Sequence, residues 1–130
     1  MTQPIQKIVA WLLAAAVTLA TLGPPGLRPH LAVGQAGEHA LAFALVGLSF
    51  GIAYPKHRWT IAAVSVVMIG ILELLQLLVP GRHARLGDFV VDAVAALIGF
   101  TLSAILDRLQ RSGPSTPESK SDTSDATAPK

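Results

Sequence analysis

The chain has 130 residues, enough for one domain, of which 52% are hydrophobic and only 14% are charged. A soluble domain of this size needs more polar side chains to cover its surface, so the composition predicts a protein embedded in lipid. The absence of cysteine excludes disulfides, thiolate catalysis and cysteine-based zinc sites. The net charge of +2 comes from scattered basic residues, a distribution that does not predict nucleic-acid binding.

Four long apolar segments divide the first part of the chain, and a membrane-spanning helix requires about 20 mostly apolar residues. The predicted helices cover residues 6–23, 37–54, 59–79 and 88–108. Breakers separate them at Gly23–Gly26, Pro55 and Pro80–Gly81, and the last two connections are short. We therefore predict an all-α membrane protein, in which residues 1–111 form a four-transmembrane-helix antiparallel bundle.

The two ends of the chain differ in character: residues 112–130 are polar, whereas the segment after Lys7 is apolar. Residues 112–130 contain no large apolar side chain, so they cannot bury enough surface to offset the entropy of ordering, and we predict a disordered polar tail. At the other end, Lys7 precedes an apolar run with small residues around Ala20, which also fits a cleavable signal peptide. That alternative would leave three spans.

Lysine and arginine near the helix ends predict the orientation, because cytoplasmic loops carry an excess of these residues. In a four-span bundle one membrane face has five of them and the opposite face has three. The larger set is Lys7, Lys56, Arg58, Arg108 and Arg111, and the smaller is Arg28, Arg82 and Arg85. Both termini are therefore expected to be cytoplasmic.

Polar side chains concentrate where the second helix starts, the third ends and the fourth starts, and an antiparallel series brings these positions to one membrane face. The predicted ligand-binding residues, called the polar layer below, are Glu38, His39, Glu73, Gln76, Arg82, Asp88 and Asp92. Glu73 and Gln76 are spaced i, i+3 and Asp88 and Asp92 i, i+4, so each pair shares a helix face. A charge at mid-bilayer costs about 2.5–3.5 kcal/mol, so these carboxylates should point into the bundle.

Partners for these groups can be suggested from the same arrangement. Arg82 and His39 are the natural partners of Glu73 at that face. The structural alternative is that the polar layer only holds helices together: Glu73 and Gln76 would bond between helices, and Asp88 would cap the fourth helix. No metal-binding spacing such as H-E-x-x-H occurs, so neither a metal nor another cofactor is predicted.

Small residues predict where helices approach closely. Gly47 and Gly51 form a GxxxG motif in the second helix, and Ala95 and Gly99 continue the face of the fourth helix that carries Asp92. We expect these residues to pack inside the bundle. The alternative is that the glycine pair binds a partner helix or a second copy of the chain.

Taken in order, these motifs resemble the VanZ-like family of small bacterial membrane proteins, related to the teicoplanin-resistance protein VanZ. The resemblance covers roughly residues 28–105. It is carried by Glu38-His39 with Phe43, by Glu73-x-x-Gln76-x-x-x-Pro80-Gly81-Arg82, and by Asp88-x-x-x-Asp92-x-x-Ala95-x-x-x-Gly99. The family usually has asparagine where this chain has Asp92, and glycine where it has Ala95.

The resemblance implies a multi-pass protein of the bacterial cytoplasmic membrane. Because the namesake is associated with low-level teicoplanin resistance, we expect a non-enzymatic protein that binds envelope components, either lipid-linked wall intermediates or glycopeptides. The alternatives are an intramembrane enzyme acting on a lipid-linked substrate, with Glu73 or Asp88 as general base and Arg82 stabilising an oxyanion, an accessory subunit of a larger complex, and a proton or ion translocator. No serine or cysteine motif identifies a nucleophile, which makes the enzyme the weaker reading.

Overall fold

Four α-helices and one short 3-10 turn make up most of the computed structural model, which describes residues 3–23, 34–78 and 86–113. The helices are α1 (Gln3–Leu22), α2 (Gly34–Ala53), α3 (Arg58–Gln76) and α4 (Leu86–Arg111), and the turn Pro55–His57 joins α2 to α3. No strand occurs within these three ranges. By length and composition each helix could cross a membrane. The predicted all-α, four-helix membrane fold is confirmed.

Two predictions about the ends of the chain stay predictions. The polar tail falls on residues 112–130, and all but the first two of these lie outside the described residues. The first apolar segment forms a full helix, α1, that is long and apolar enough to span a membrane. A helix of this kind is compatible with a retained first span and with a signal peptide.

The outer surface of every helix is apolar, as a lipid environment requires. Leu19 in α1 is 74% exposed and Val67 in α3 is 61% exposed, and α2 and α4 also present leucine, isoleucine and valine outwards. A soluble monomer does not display apolar patches of this extent. The same surface placed in acyl chains incurs no such penalty, so the exposed side chains support membrane insertion.

The closest helix contact joins α2 to α4, which run parallel. A Cβ added at Gly47 would overlap the backbone carbonyl of Ala96, and one added at Gly99 would overlap the carbonyl of Ala44. A Cβ at Gly51 would likewise overlap a side chain of α4. Small residues therefore let the two backbones touch, as is common between helices in lipid. The GxxxG surface is occupied by α4, so it is not free to bind another helix.

Buried apolar side chains form two clusters along this contact. The cluster nearer the polar layer takes its members from α2, α3 and α4: Phe43, Ile69, Ala95 and Ala96. The second cluster takes members from all four helices: Ala10, Phe50, Ala53, Ala62 and Phe100. The α1 helix contributes one buried apolar residue, Ala10, and packs mainly on α2. The bundle is therefore built around α2 and α4, with α1 added at its side.

At the bundle end opposite the polar layer, called the basic end below, one arginine of α3 contacts both α2 and α4. Arg58 is 9% exposed, and its Nε donates a hydrogen bond to the carbonyl oxygen of Gly51 at 3.1 Å. Its Nη2 lies 3.7 Å from Oδ2 of Asp107, whose Oδ1 accepts a hydrogen bond from Arg111 at 3.2 Å. Arg58 thus ties the start of α3 to the ends of α2 and α4. From the sequence it was interpreted only as an orientation signal.

Aromatic side chains attach α1 at the basic end. The Trp11 indole donates a hydrogen bond to the Tyr54 hydroxyl at 3.2 Å and meets Phe50 edge-on, with ring centroids 5.3 Å apart. The Lys7 ammonium lies 5.1 Å from the centroid of the Tyr54 ring, a cation–π contact. Few apolar contacts hold α1, so these interactions fix its height beside α2.

The α2–α4 contact predicts different effects on stability for substitutions at two glycines of α4. Gly99→Ala should lower the free energy of unfolding by about 1–3 kcal/mol, because the added methyl overlaps the α2 backbone. Gly87→Ala is the matched control, since a Cβ there meets nothing within 4 Å. Detergent-driven unfolding in mixed micelles measures both. Equal stability of the two variants would contradict the tight contact.

The arginine at the basic end predicts a second difference. Arg58→Ala should lower the free energy of unfolding by about 1.5–3 kcal/mol, because it removes a hydrogen bond from a charged donor and leaves the Gly51 carbonyl without it. Lys56→Ala, two residues earlier and exposed, is the control and should change stability by less than about 0.5 kcal/mol. Detergent-driven unfolding in mixed micelles measures the free energy of unfolding of both variants. If Arg58→Ala behaves like the control, Arg58 does not hold the helices together.

Candidate functional site

An imidazole and a buried carboxylate meet at the start of α2 and α4. His39 Nδ1 lies 3.6 Å from Asp92 Oδ2, a distance within the range of an ion pair. Asp92 is only 3% exposed, whereas the side chain of His39 is 22% exposed. The close parallel packing of α2 and α4 places the two residues at the same depth. Sequence reasoning put both in the polar layer but did not pair them.

Two further carboxylates act on the same imidazole. Glu73, near the end of α3, and Asp88, in the first turn of α4, both interact electrostatically with His39. Asp88 is exposed, and its position in the first turn lets it interact favourably with the α4 dipole. Glu73 is half-buried. Acidic side chains of α3 and α4 therefore lie at the same end of the bundle as the histidine of α2, and Asp92 is the one in contact with it.

The remaining members of the polar layer differ in what the structure describes. Gln76 is 8% exposed in the last turn of α3, so it lies within the bundle and not against lipid. Glu38 is half-buried beside His39 in sequence. Arg82, with Arg85, belongs to the connection between α3 and α4 and lies outside the described residues. The predicted pairing of Glu73 with Arg82 therefore stays a prediction.

Burial of Asp92 leaves one of its oxygens without a hydrogen bond inside the described ranges. Oδ1 is enclosed and accepts no bond from residues 3–23, 34–78 or 86–113, while Oδ2 faces His39. An enclosed carboxylate is costly unless an opposite charge or a donor compensates it. His39 is the basic group that the structure places beside Asp92, so the histidine compensates the cost of burying this side chain.

No metal centre is formed by the part of the chain that the structure describes. Within it, no group of three or more His, Cys, Asp or Glu side chains has the arrangement to hold a metal ion. What the site offers instead is a set of hydrogen-bond acceptors around a partly accessible imidazole. Such a set can bind a polar group that reaches it from the membrane surface.

The fold and this site define a multi-pass helical membrane protein with an ionisable cluster at one end of its bundle. The family model described as VanZ/LLP1 matches residues 3–107, and the chain belongs to this family. The match covers α1, α2, α3, most of α4 and every member of the polar layer, and it confirms the family predicted from the motifs. No curated protein and no solved structure matches the chain.

The pairing of His39 with Asp92 predicts a measurable coupling. In a double-mutant cycle of His39→Ala and Asp92→Ala, the stability losses should be non-additive by about 0.5–3 kcal/mol, because either substitution already breaks the ion pair. The control cycle combines Asp92→Ala with His57→Ala at the basic end and should be additive within about 0.5 kcal/mol. Additive losses in the first cycle would show that the two groups do not interact.

Proposed function

We propose that this protein binds a component of the bacterial cell envelope through its polar layer, without chemically changing it. The observation that carries the proposal is the meeting of side chains from α2, α3 and α4 at one membrane face, with an accessible imidazole among carboxylates. Intramembrane ionisable residues are expensive, and where they occur they usually mark a functional site. A purely structural role would be met more cheaply by apolar residues.

We place the polar layer on the outer side of the cytoplasmic membrane, with both termini in the cytoplasm. The distribution of charge supports this orientation. Five lysines and arginines flank the helices at the basic end against three at the opposite face, and four of the five described acidic residues lie in the polar layer. The cytoplasmic side is the one that collects lysine and arginine. Envelope components on the outer surface would then meet the polar layer directly.

The ligand we propose is a lipid-linked wall intermediate or a glycopeptide of the teicoplanin type. Arg82 and Arg85, in the connection between α3 and α4, bring guanidinium groups suited to phosphate or carboxylate. The described members of the layer bring acceptors for hydroxyl and amide donors. A protein that binds such molecules would influence glycopeptide resistance or envelope homeostasis.

The enzyme alternative remains the second candidate, and the histidine beside Asp92 is the observation that favours it. A histidine oriented by a carboxylate is a common general base. The sequence still identifies no nucleophile, so a water or a substrate group would have to attack. Turnover of a lipid-linked substrate by the purified protein, abolished in Glu73→Gln, would establish this function over simple binding.

The accessory-subunit alternative loses the surface on which it rested. Gly47 and Gly51 lie against α4, so a partner helix would need a different face of the bundle. The translocation alternative also has little support. The ionisable groups of the described residues occupy the two ends of the bundle, and none lies near the middle of the helices to relay an ion.

Binding in nanodiscs tests the proposal. We expect the full-length protein to bind a polyprenyl-diphosphate-linked disaccharide peptide or teicoplanin, and Glu73→Gln to weaken that binding about tenfold, because the amide lacks the negative charge and has a donor in place of one acceptor oxygen. Lys56→Gln, exposed at the basic end, is the control and should bind like wild type.

Each result of this experiment has one interpretation. If wild type binds neither probe, or if Glu73→Gln binds as tightly as wild type, the proposal is wrong for these ligands. If Glu73→Gln and Gln76→Ala both disappear from the membrane while Lys56→Gln does not, the layer holds helices together and does not bind a ligand.

A further inference from the structure

Both tryptophans and the only tyrosine of the chain lie toward the basic end of the bundle. Trp11, which is 62% exposed, donates a hydrogen bond to Tyr54 at the outer surface, and Trp59, at the start of α3, is 63% exposed. Tryptophan and tyrosine are enriched where acyl chains meet headgroups, because each has an apolar ring with a polar N–H or O–H group. The aromatic residues therefore place the basic end at the level of the lipid headgroups.

Positive charge at this end exceeds negative charge. Asp107 is the acidic side chain that the described segments contribute there, and it pairs with Arg58 and Arg111. Two exposed lysines, Lys7 and Lys56, take part in no ion pair with the segments that the structure describes. Lysine at the headgroup level attracts anionic lipids. These two ammonium groups are therefore available to a lipid in a way that the Arg58 guanidinium is not.

Tyr54 brings the two lysines together from distant parts of the chain. The Lys7 ammonium lies over the Tyr54 ring, 5.1 Å from its centroid, and the 3.2 Å hydrogen bond from Trp11 to the Tyr54 hydroxyl holds α1 at that height. Lys56 follows Tyr54 by two residues in the turn Pro55–His57, so their Cα atoms are at most about 7 Å apart. One lysine of α1 and one of the turn thus flank the same ring.

The phosphate of an anionic phospholipid matches this pair of lysines. An ammonium group only donates hydrogen bonds, and the oxygens of a phosphodiester only accept them. In phosphatidylcholine a choline cation balances the phosphate, and the lysines repel it, whereas phosphatidylglycerol keeps its net negative charge. Acyl chains would also contact the exposed apolar side chains beside Lys7, such as Ile8 and Trp11. A soluble phosphate would gain no such contact.

We propose that Lys7 and Lys56, held on either side of Tyr54, bind the phosphate of an anionic phospholipid at the basic end. The lipid would bridge α1 and the turn after α2. It would thereby help to attach a helix that contributes one buried apolar residue, Ala10, to the bundle. The inference does not rest on the proposed envelope-binding function, because the polar layer lies at the opposite end of the bundle.

Fluorescence quenching by brominated lipids tests the proposal at Trp11. The full-length protein carries Trp59→Phe, which leaves Trp11 as the one tryptophan. Vesicles contain equal amounts of phosphatidylcholine and phosphatidylglycerol, and the acyl chains of one lipid at a time are brominated. Phosphatidylglycerol should bind beside Trp11 at least about fivefold more tightly, since each lysine near the surface contributes about fivefold. Raising the salt to about 0.5 M should reduce this preference, because exposed charges are screened.

Substitutions of single charges distinguish a site from a general attraction. Lys7→Gln and Lys56→Gln should each lower the preference by up to about fivefold, and the double variant should remove it. Lys7→Arg keeps the charge and should retain the preference. Arg108→Gln is the matched control, because it removes one exposed charge from α4 at the same end, and it should leave the preference largely unchanged.

Three results would overturn the inference: equal quenching by the two lipids in the parent protein, a preference that persists in the double lysine variant, and a loss in Arg108→Gln as large as that in Lys7→Gln. The last would show that the lipid responds to the overall charge of the basic end and not to a site beside Tyr54. Binding of envelope components by the polar layer is measured separately, so the failure of either proposal leaves the other intact.

Discussion

The contact between α2 and α4 is the constraint on which the rest of the molecule depends. In lipid, apolar side chains gain nothing by leaving the acyl chains, so helices must associate through close packing and polar contacts. Gly47 and Gly99 remove the side chains that would separate the two backbones. The same approach brings His39 to Asp92 at one end of the pair and Gly51 to Ser103 toward the other. The α1 and α3 helices are added around this pair.

Charge is unevenly distributed along the bundle. At the basic end, Asp107, the acidic residue that the described segments contribute there, lies between Arg58 and Arg111 and pairs with both. In the polar layer the described ionisable side chains are one imidazole and four carboxyl groups, and Arg82 belongs to the connection outside the described residues.

Asp92 shows how this chain differs from what its family resemblance implies. Asparagine is the usual residue there, and an amide can be enclosed among neutral partners. A carboxylate in the same enclosed position requires a compensating group, and His39 supplies it at 3.6 Å. The substitution changes the local chemistry more than the packing, because asparagine and aspartate have nearly the same shape. The family assignment alone therefore does not predict this ion pair.

What the sequence determined by itself was the existence of the helices, the kind of environment they occupy and the end at which each polar group lies. Apolar runs of about 20 residues and short proline or glycine connections are local signals, and an antiparallel order fixes which ends meet. The tertiary structure decided which side chain faces which. The pairing of His39 with Asp92 and the closure of the basic end by Arg58 depend on the rotation and height of one helix against another. Those are set by the close approach at Gly47 and Gly99, a contact between distant parts of the chain that no single segment encodes.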